Sequence, residues 1–271
     1  MKLAFTKMHG AGNDFVVVDH REPFLPRERA GLLSRLCDRR RGIGADGVLL
    51  LERDPSLDFA FVYYNSDGGP ADFCGNGARC LARFALDRGL GAKGAVRFRT
   101  AVGEKRATLL PDGRVALEFG AVGAPERVSL DSSGRNFEGV LVSAGVPHFV
   151  VPVPAVDAVP LAEWSPPLRR HARFGAEGAN VDFVARRADG RVAMRTFERG
   201  VEAETLACGS GAIATAAWAR DEGIASPVVV CTAGGDDLVV EFTERELERG
   251  PERHATLTGP ARVVYTGEWS E

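Results

Sequence analysis

Two cysteines stand in the same short frame, Cys74-Gly-Asn-Gly-Ala and Cys208-Gly-Ser-Gly-Ala. The residues that follow read as helices, because Leu81, Phe84 and Ala85, and likewise Ile213, Ala216 and Ala217, recur at i, i+3, i+4. Gly89 and Gly223, each fifteen positions past its cysteine, stand where a left-handed glycine ends a helix. A thiol at a helix start meets the positive end of the macrodipole and unpaired N–H groups, which lower its pKa. The neighbouring glycines let a ligand approach the backbone, and the free N–H groups suit a carboxylate. Two such starts on opposite sides of an α-amino carboxylate make an acid–base pair. One sulfur removes the Cα proton as thiolate and the other returns a proton from the far face as thiol. The carboxylate bound by both helix starts accepts charge as the carbanion develops.

The repeat extends beyond the cysteines. Gly12-Asn13-Asp14-Phe15-Val16 is echoed by Gly178-Ala179-Asn180-Val181-Asp182-Phe183-Val184, and Thr100-Ala101-Val102-Gly103 by Thr232-Ala233-Gly234-Gly235. The pattern occurs twice only, which indicates duplication of a domain rather than a solenoid period. Strands are expected at Phe15–Val18, Val48–Leu51, Phe59–Tyr64, Val115–Phe119, Phe149–Val153, Val181–Val184, Val228–Cys231 and Leu238–Phe242. Asp112-Gly113 and Asp189-Gly190 are hairpin signals, and the proline-bearing stretch 152–167 reads as a connection inside the second half. The expected fold is α+β: two similar, internally duplicated domains, each a curled mixed β-sheet wrapped around a central α-helix, with the active site in the cleft between them. Residues 1–120 form the first half, with a C-terminal strand at 260–271 returning to it, and residues 121–259 the second.

Composition sets the limits of function. Of 271 residues, 45% are hydrophobic and 26% charged, enough for a core that needs no metal or disulfide staple. The net charge of −3, without long runs of either sign, gives no nucleic-acid footprint. No apolar stretch reaches the roughly 18 residues of a membrane helix, and residues 1–10 lack the apolar core of a secretion signal, so a cytoplasmic location is expected. Five cysteines without Cys-x-x-Cys spacing disfavour a disulfide framework or a zinc site, and no metal is expected. Lys2, Lys7, Lys93 and Lys105 are the only lysines, and none has the phosphate-binding context of a pyridoxal Schiff base, so no cofactor is expected. Cys37, Cys80 and Cys231 read as packing residues. Gly42-Ile-Gly44-Ala-Asp-Gly47 has dinucleotide-loop spacing, yet a strand-like run follows it where a helix is required.

Together these segments resemble the diaminopimelate epimerase family over nearly the whole chain. The resemblance runs from Lys7-Met-His-Gly-Ala-Gly-Asn-Asp-Phe15 through Gly42–Gly47, Tyr64-Asn-Ser-Asp-Gly68, Cys74–Cys80, Glu198-Arg-Gly-Val201 and Glu204–Gly211 to Gly259-Pro-Ala261. It implies a pyridoxal-independent epimerase that interconverts LL- and meso-diaminopimelate on the route to lysine and peptidoglycan, as a cytoplasmic homodimer. It further implies that Cys74 and Cys208 are the acid–base pair, that His148 and Glu198 assist the thiols, and that Gly75, Asn76, Gly209 and Ser210 bind the reacting carboxylate. Asn13, Asn65, Asn180, Glu198 and Arg199 are expected to hold the amino groups and distal carboxylate. The chain departs from the family in two places. Val146 stands where asparagine commonly precedes Pro-His, and the segment from Glu198 to Cys208 is one residue longer, around Glu202-Ala203.

Three other functions use the same residues differently. A racemase of the same fold acting on histidine or proline is compatible with Val146. A thiol redox protein would cycle a Cys74–Cys208 disulfide. A binding protein without catalysis would have no need of either cysteine.

Overall fold

A computed structural model describes residues 2–26, 28–247 and 250–270. The chain divides into two compact units, Met1–Glu118 with Gly259–Glu271, and Phe119–Thr258.

In chain order the first unit contains β1 (Lys2–Gly10), β2 (Asn13–Asp19), α1 (Ala30–Cys37), β3 (Gly47–Glu52), β4 (Phe59–Asn65), β5 (Pro70–Ala71), α2 (Gly75–Leu86), β6 (Ala95–Thr100), β7 (Gly103–Leu109) and β8 (Val115–Ala121). The second contains β9 (Glu126–Ser132), β10 (Arg135–Ala144), β11 (Val146–Pro152), α3 (Leu161–Arg169), β12 (Asn180–Arg186), β13 (Val192–Glu198), β14 (Ala203–Thr205), α4 (Gly209–Asp221), β15 (Val228–Cys231), β16 (Asp237–Leu247) and β17 (Gly250–Gly259). The last strand, β18 (Arg262–Ser270), pairs antiparallel with β1.

The two units repeat one ladder. The first runs β18–β1–β2–β3–β4–β6–β7–β8 with β5 on β4; β2/β3 and β4/β6 are parallel and the other pairs antiparallel. The second runs β9–β10–β11–β12–β13–β15–β16–β17 with β14 on β13, and β11/β12 and β13/β15 are parallel. Helix α2 packs on β1, β2, β3, β4, β6 and β7, and α4 on the corresponding β10, β11, β12, β13, β15 and β16.

Strand alternation decides what each helix meets. In the second unit Phe149, Val151, Val181 and Phe183 pack with Leu161 and Leu168 of α3. Period two then turns His148, Asn180 and Asp182 to the opposite face, the one α4 covers. In the first unit Val16, Val18, Val48 and Leu50 pack with Leu33 and Leu36 of α1, leaving Phe15 and Leu49 for the α2 face. Each fully buried Phe, Leu or Val contributes roughly 1.5–3 kcal/mol, so these layers fix the strand registers.

Two sequence readings need correction. The stretch 152–167, read as a connection, contains most of α3, with Pro166 and Pro167 inside the helix. Buried Leu161, Ser165 and Leu168 give it one core-facing stripe, and that packing outweighs the amide hydrogens lost at the prolines. The echo between Asn13 and Asn180 also does not match the ladders. The parallel pairs open at Phe15↔Gly47 in one unit and His148↔Asn180 in the other. Asn13 therefore corresponds to Val146, Gly47 to Asn180, and Asn65 to Glu198, the last residues of β4 and β13.

Candidate active site

Cys74 is the N-cap of α2, in extended backbone (φ −142°, ψ 119°), and its side chain does not cap its own helix. Its thiol donates instead to Asn13 Oδ1, 3.5 Å away, on the first residue of β2. The same oxygen accepts from Asn76 Nδ2 at 3.3 Å, and Asn76 Oδ1 accepts from Arg79 Nη2 at 2.7 Å. Asn13 Nδ2 donates to Asp46 Oδ2 at 2.7 Å. Arg79 can only donate and a carboxylate such as Asp46 accepts, so the amides between them are fixed in orientation and an oxygen faces Cys74. Arg79 is fully buried and also bonds the Gly75 and Pro260 carbonyls.

Ionic contacts brace this end of β2. Asp14 receives a bidentate Arg39 at 3.0 and 2.7 Å and Lys7 at 2.7 Å, while Lys7 also donates to the Gly44 carbonyl. Burial alone would raise the Asp14 pKa, yet the hydrogen bonds from Arg39 and Lys7 outweigh it and hold the carboxyl at about 2. These contacts tie Gly42–Gly47 to the site as a structural loop. Asn65, exposed at the end of β4, closes a turn through backbone bonds with Gly68 and Gly69.

Cys208 is the N-cap of α4 (φ −117°, ψ 117°), and its sulfur accepts from the Gly211 N–H at 3.4 Å. Ser210 Oγ also lies 3.4 Å from it. A helix start alone lowers a thiol pKa, but Cys208 goes the other way. Burial pushes the thiol well above its ordinary value, and the charges of Glu198 and Asp182 add to that; the bonds from Ser210 and Gly211 oppose it and lose.

Beneath the Cys208 helix start lies a closed polar network. His148 and Asp182 are both fully buried, and Nδ1 of the ring meets Asp182 Oδ2 at 2.7 Å. Nε2 meets Asn180 Nδ2 at 3.2 Å, and Asn180 Oδ1 accepts the Arg199 backbone N–H at 2.7 Å. The other Asp182 oxygen accepts from Thr196 Oγ1 at 2.6 Å. Arg199 carries its guanidinium 3.9 Å from the exposed Glu177. The segment between Glu198 and Cys208 turns at Glu202 (φ +56°), which Arg169 and Arg170 pin through ion pairs of 2.6 and 2.7 Å.

The first unit thus gathers Asn13, Gly75 and Asn76 around Cys74, and the second gathers His148, Asn180, Glu198, Gly209 and Ser210 around Cys208. Arg199 joins the second group through its backbone. Four participants carry no role in the sequence reading: Asp46, Arg79, Asp182 and Thr196. Asp182 had a signal, being a carboxylate flanked by Val181 and Phe183 in an apolar strand. Among the described residues, no group of three or more His, Cys, Asp and Glu side chains is placed to hold a metal ion, and no helix is long and apolar enough to cross a membrane.

Duplicated mixed sheets with one cysteine-capped helix each define the class. The fold matches a phenazine biosynthesis protein of the PhzF family from Bacillus anthracis (TM-score 0.77, 16% identity, all of both chains). It also matches a probable proline racemase from Agrobacterium radiobacter K84 (TM-score 0.73, 20% identity, 99% of this chain and 93% of that one). Sequence is more specific. The model of the diaminopimelate epimerase family matches residues 5–124 and 140–264, one segment for each half. Diaminopimelate epimerases from Aquifex aeolicus and Aromatoleum aromaticum are 38% and 41% identical, over 99% of this chain and 98% and 99% of theirs. The chain belongs to the diaminopimelate epimerase family.

Proposed function

We propose that this chain is an isomerase that interconverts LL- and meso-diaminopimelate by two-base proton transfer at Cα, with Cys74 and Cys208 as the two bases. The observation that carries the reading is the pair of helix starts, each holding a hydrogen-bonded sulfur, in a chain about 40% identical to diaminopimelate epimerases along its full length.

In this mechanism each half contributes one of the two bases. The thiolate on one side takes the α-proton and the thiol on the other delivers one to the opposite face, so configuration inverts and the cysteines exchange roles. The backbone N–H groups of Gly75 and Asn76, and of Gly209 and Ser210, take up the growing negative charge on the carboxylate. Asn13, Asn65, Asn180, Glu198 and Arg199 hold the ammonium groups and the distal carboxylate, Arg199 through its planar fork. Glu198 and His148 act on the Cys208 side.

The reading includes a reducing cytoplasm, which suits five free cysteines, and a homodimer. Val263, Val264 and Tyr265 on β18 are 49%, 56% and 45% exposed, an apolar strip that supports self-association and that sedimentation would test.

Proton NMR of LL-diaminopimelate in D₂O with reduced enzyme tests the activity. Loss of one α-proton signal with formation of meso product, absent in Cys74→Ala and Cys208→Ala, is expected. No exchange by the reduced wild type would contradict the substrate. The position of Val146, equivalent to Asn13, would then direct the search to a racemase of another amino acid.

A further inference from the structure

His148 is fully buried and has both ring nitrogens engaged inside its own unit. The direction of every bond around it follows from groups that cannot reverse. The Arg199 N–H only donates, so Asn180 must turn Oδ1 toward it and Nδ2 toward the imidazole. Nε2 therefore accepts, the ring proton sits on Nδ1, and it is donated to Asp182. Thr196 Oγ1–H fills the second Asp182 oxygen.

The fold itself has no need of this network, because the other half provides an internal control. Phe15 corresponds to His148, Leu49 to Asp182 and Tyr63 to Thr196, since Leu49↔Tyr63 and Asp182↔Thr196 are matching pairs of matching ladders. A Cβ on Gly77 of α2 would meet Leu49 Cδ2 at 3.1 Å and Phe15 Cζ at 3.4 Å. A Cβ on Gly211, its counterpart in α4, would meet Asp182 Oδ1 at 2.6 Å. One architecture thus packs hydrocarbon under the Cys74 helix and a buried carboxylate under the Cys208 helix. Burying that carboxylate carries a desolvation penalty that hydrocarbon avoids.

We propose that Asp182 is a positioning residue for the epimerisation: it accepts the Nδ1 proton and so holds the His148 ring in place, with Nε2 against Asn180 Nδ2, while the Arg199 N–H holds the other end of the same amide. The inference rests on the reading that Asn180 binds substrate.

The test combines tautomer and kinetics. Long-range ¹H–¹⁵N spectra of the wild type should show one His148 tautomer, protonated at Nδ1. Asp182→Leu leaves the Nδ1 proton without its acceptor, so the single ordered His148 signal set should be lost and KM for diaminopimelate should rise about tenfold with a smaller change in kcat, the scale of one misplaced hydrogen bond. Asp182→Asn keeps an oxygen toward His148 and presents its amide to the Thr196 hydroxyl, so it should restore the single tautomer and most of the KM. Should Asp182→Leu not fold, His148→Phe with Asp182→Leu copies Phe15 and Leu49 and should fold with raised KM. An Nε2–H tautomer in the wild type, or a normal KM in whichever of these two Leu variants folds, overturns the proposal. A wild type inactive on diaminopimelate would remove the functional reading, while the tautomer spectra would still judge the role of Asp182.

Discussion

The two helix starts share a sequence frame and differ in electrical setting. At Cys74 the sulfur faces an amide oxygen held by Arg79 and Asp46 through two asparagines. At Cys208 it accepts a backbone N–H and stands near two carboxylates, Glu198 and Asp182. Duplication supplied the helices and their caps, whereas the strand residues beneath set the chemistry. A site that inverts configuration must present two faces, yet the groups that tune those faces need not be copies.

The largest effect should come from the sulfurs themselves. Cys74→Ser and Cys208→Ser should each lower kcat at least about a hundredfold in both directions, the scale of a lost general acid or base. A variant slow in one direction only would break the pairing.

Gly211→Ala should destabilise the protein by about 1–3 kcal/mol, because the new methyl meets a fixed carboxylate oxygen at 2.6 Å. Gly77→Ala, against the yielding Leu49 side chain at 3.1 Å, should lose less. Denaturant midpoints measure both, and equal losses would remove the contrast between the layers.

Glu198→Gln removes a charge that holds the Cys208 thiol protonated, so that thiol should ionise at lower pH. Iodoacetamide labelling against pH, read by mass spectrometry at Cys208, should move to lower pH in the variant. An unchanged profile would leave burial and Asp182 as the causes of the raised thiol.

Acid should distinguish the halves as well. The Asp14 carboxyl is depressed to about 2, so its contribution to stability is present above the ordinary carboxylate range near pH 4 and is lost as pH falls through about 2. The stability gap between wild type and Asp14→Asn, read from unfolding midpoints, should therefore close over that interval. Its counterpart in the second half is Pro147, which offers no such term.

The smallest effects should be the most alike. Gly89 and Gly223 have φ of +76° and +84°, and the next residues, Leu90 and Ile224, bond back to Ala85 and Ala219 at 3.1 and 2.9 Å. Neither glycine has an atom near its missing Cβ, so alanine should cost about 1 kcal/mol at each through backbone strain alone. Thermal unfolding that separates the two would show unequal helix ends.

These contrasts also show what the chain reveals before it folds. The cysteine-led helices and their glycine caps obey rules of the first and last turn, which are written within a few residues, and they were legible. The eight apolar strand runs lie in β2, β3, β4, β8, β11, β12, β15 and β16, with Val153 one residue beyond β11. Strands such as β1 and β10 were not legible, because polar residues interrupt their apolar pattern, the buried Thr6 and Lys7 in β1 and the exposed Arg135, Asn136 and Glu138 in β10. Helix α3 was hidden by Pro166 and Pro167. The His148–Asp182 contact joins residues 34 apart through the parallel register of β11 and β12, which no local pattern encodes. For the same reason the likeness of residues around Asn13 and Asn180 suggested an equivalence that strand pairing does not support.

The most direct measurement of the two-base account is the position of deuterium early in the reaction. LL-diaminopimelate would be incubated with reduced enzyme in D₂O and stopped at low conversion, and the α-carbons of recovered substrate and of meso product analysed separately. Separate sulfurs on opposite faces predict deuterium in the inverted product and almost none in the remaining substrate. Equal labelling of both would mean that a single group removes and returns the proton, and would contradict the distinct roles of Cys74 and Cys208.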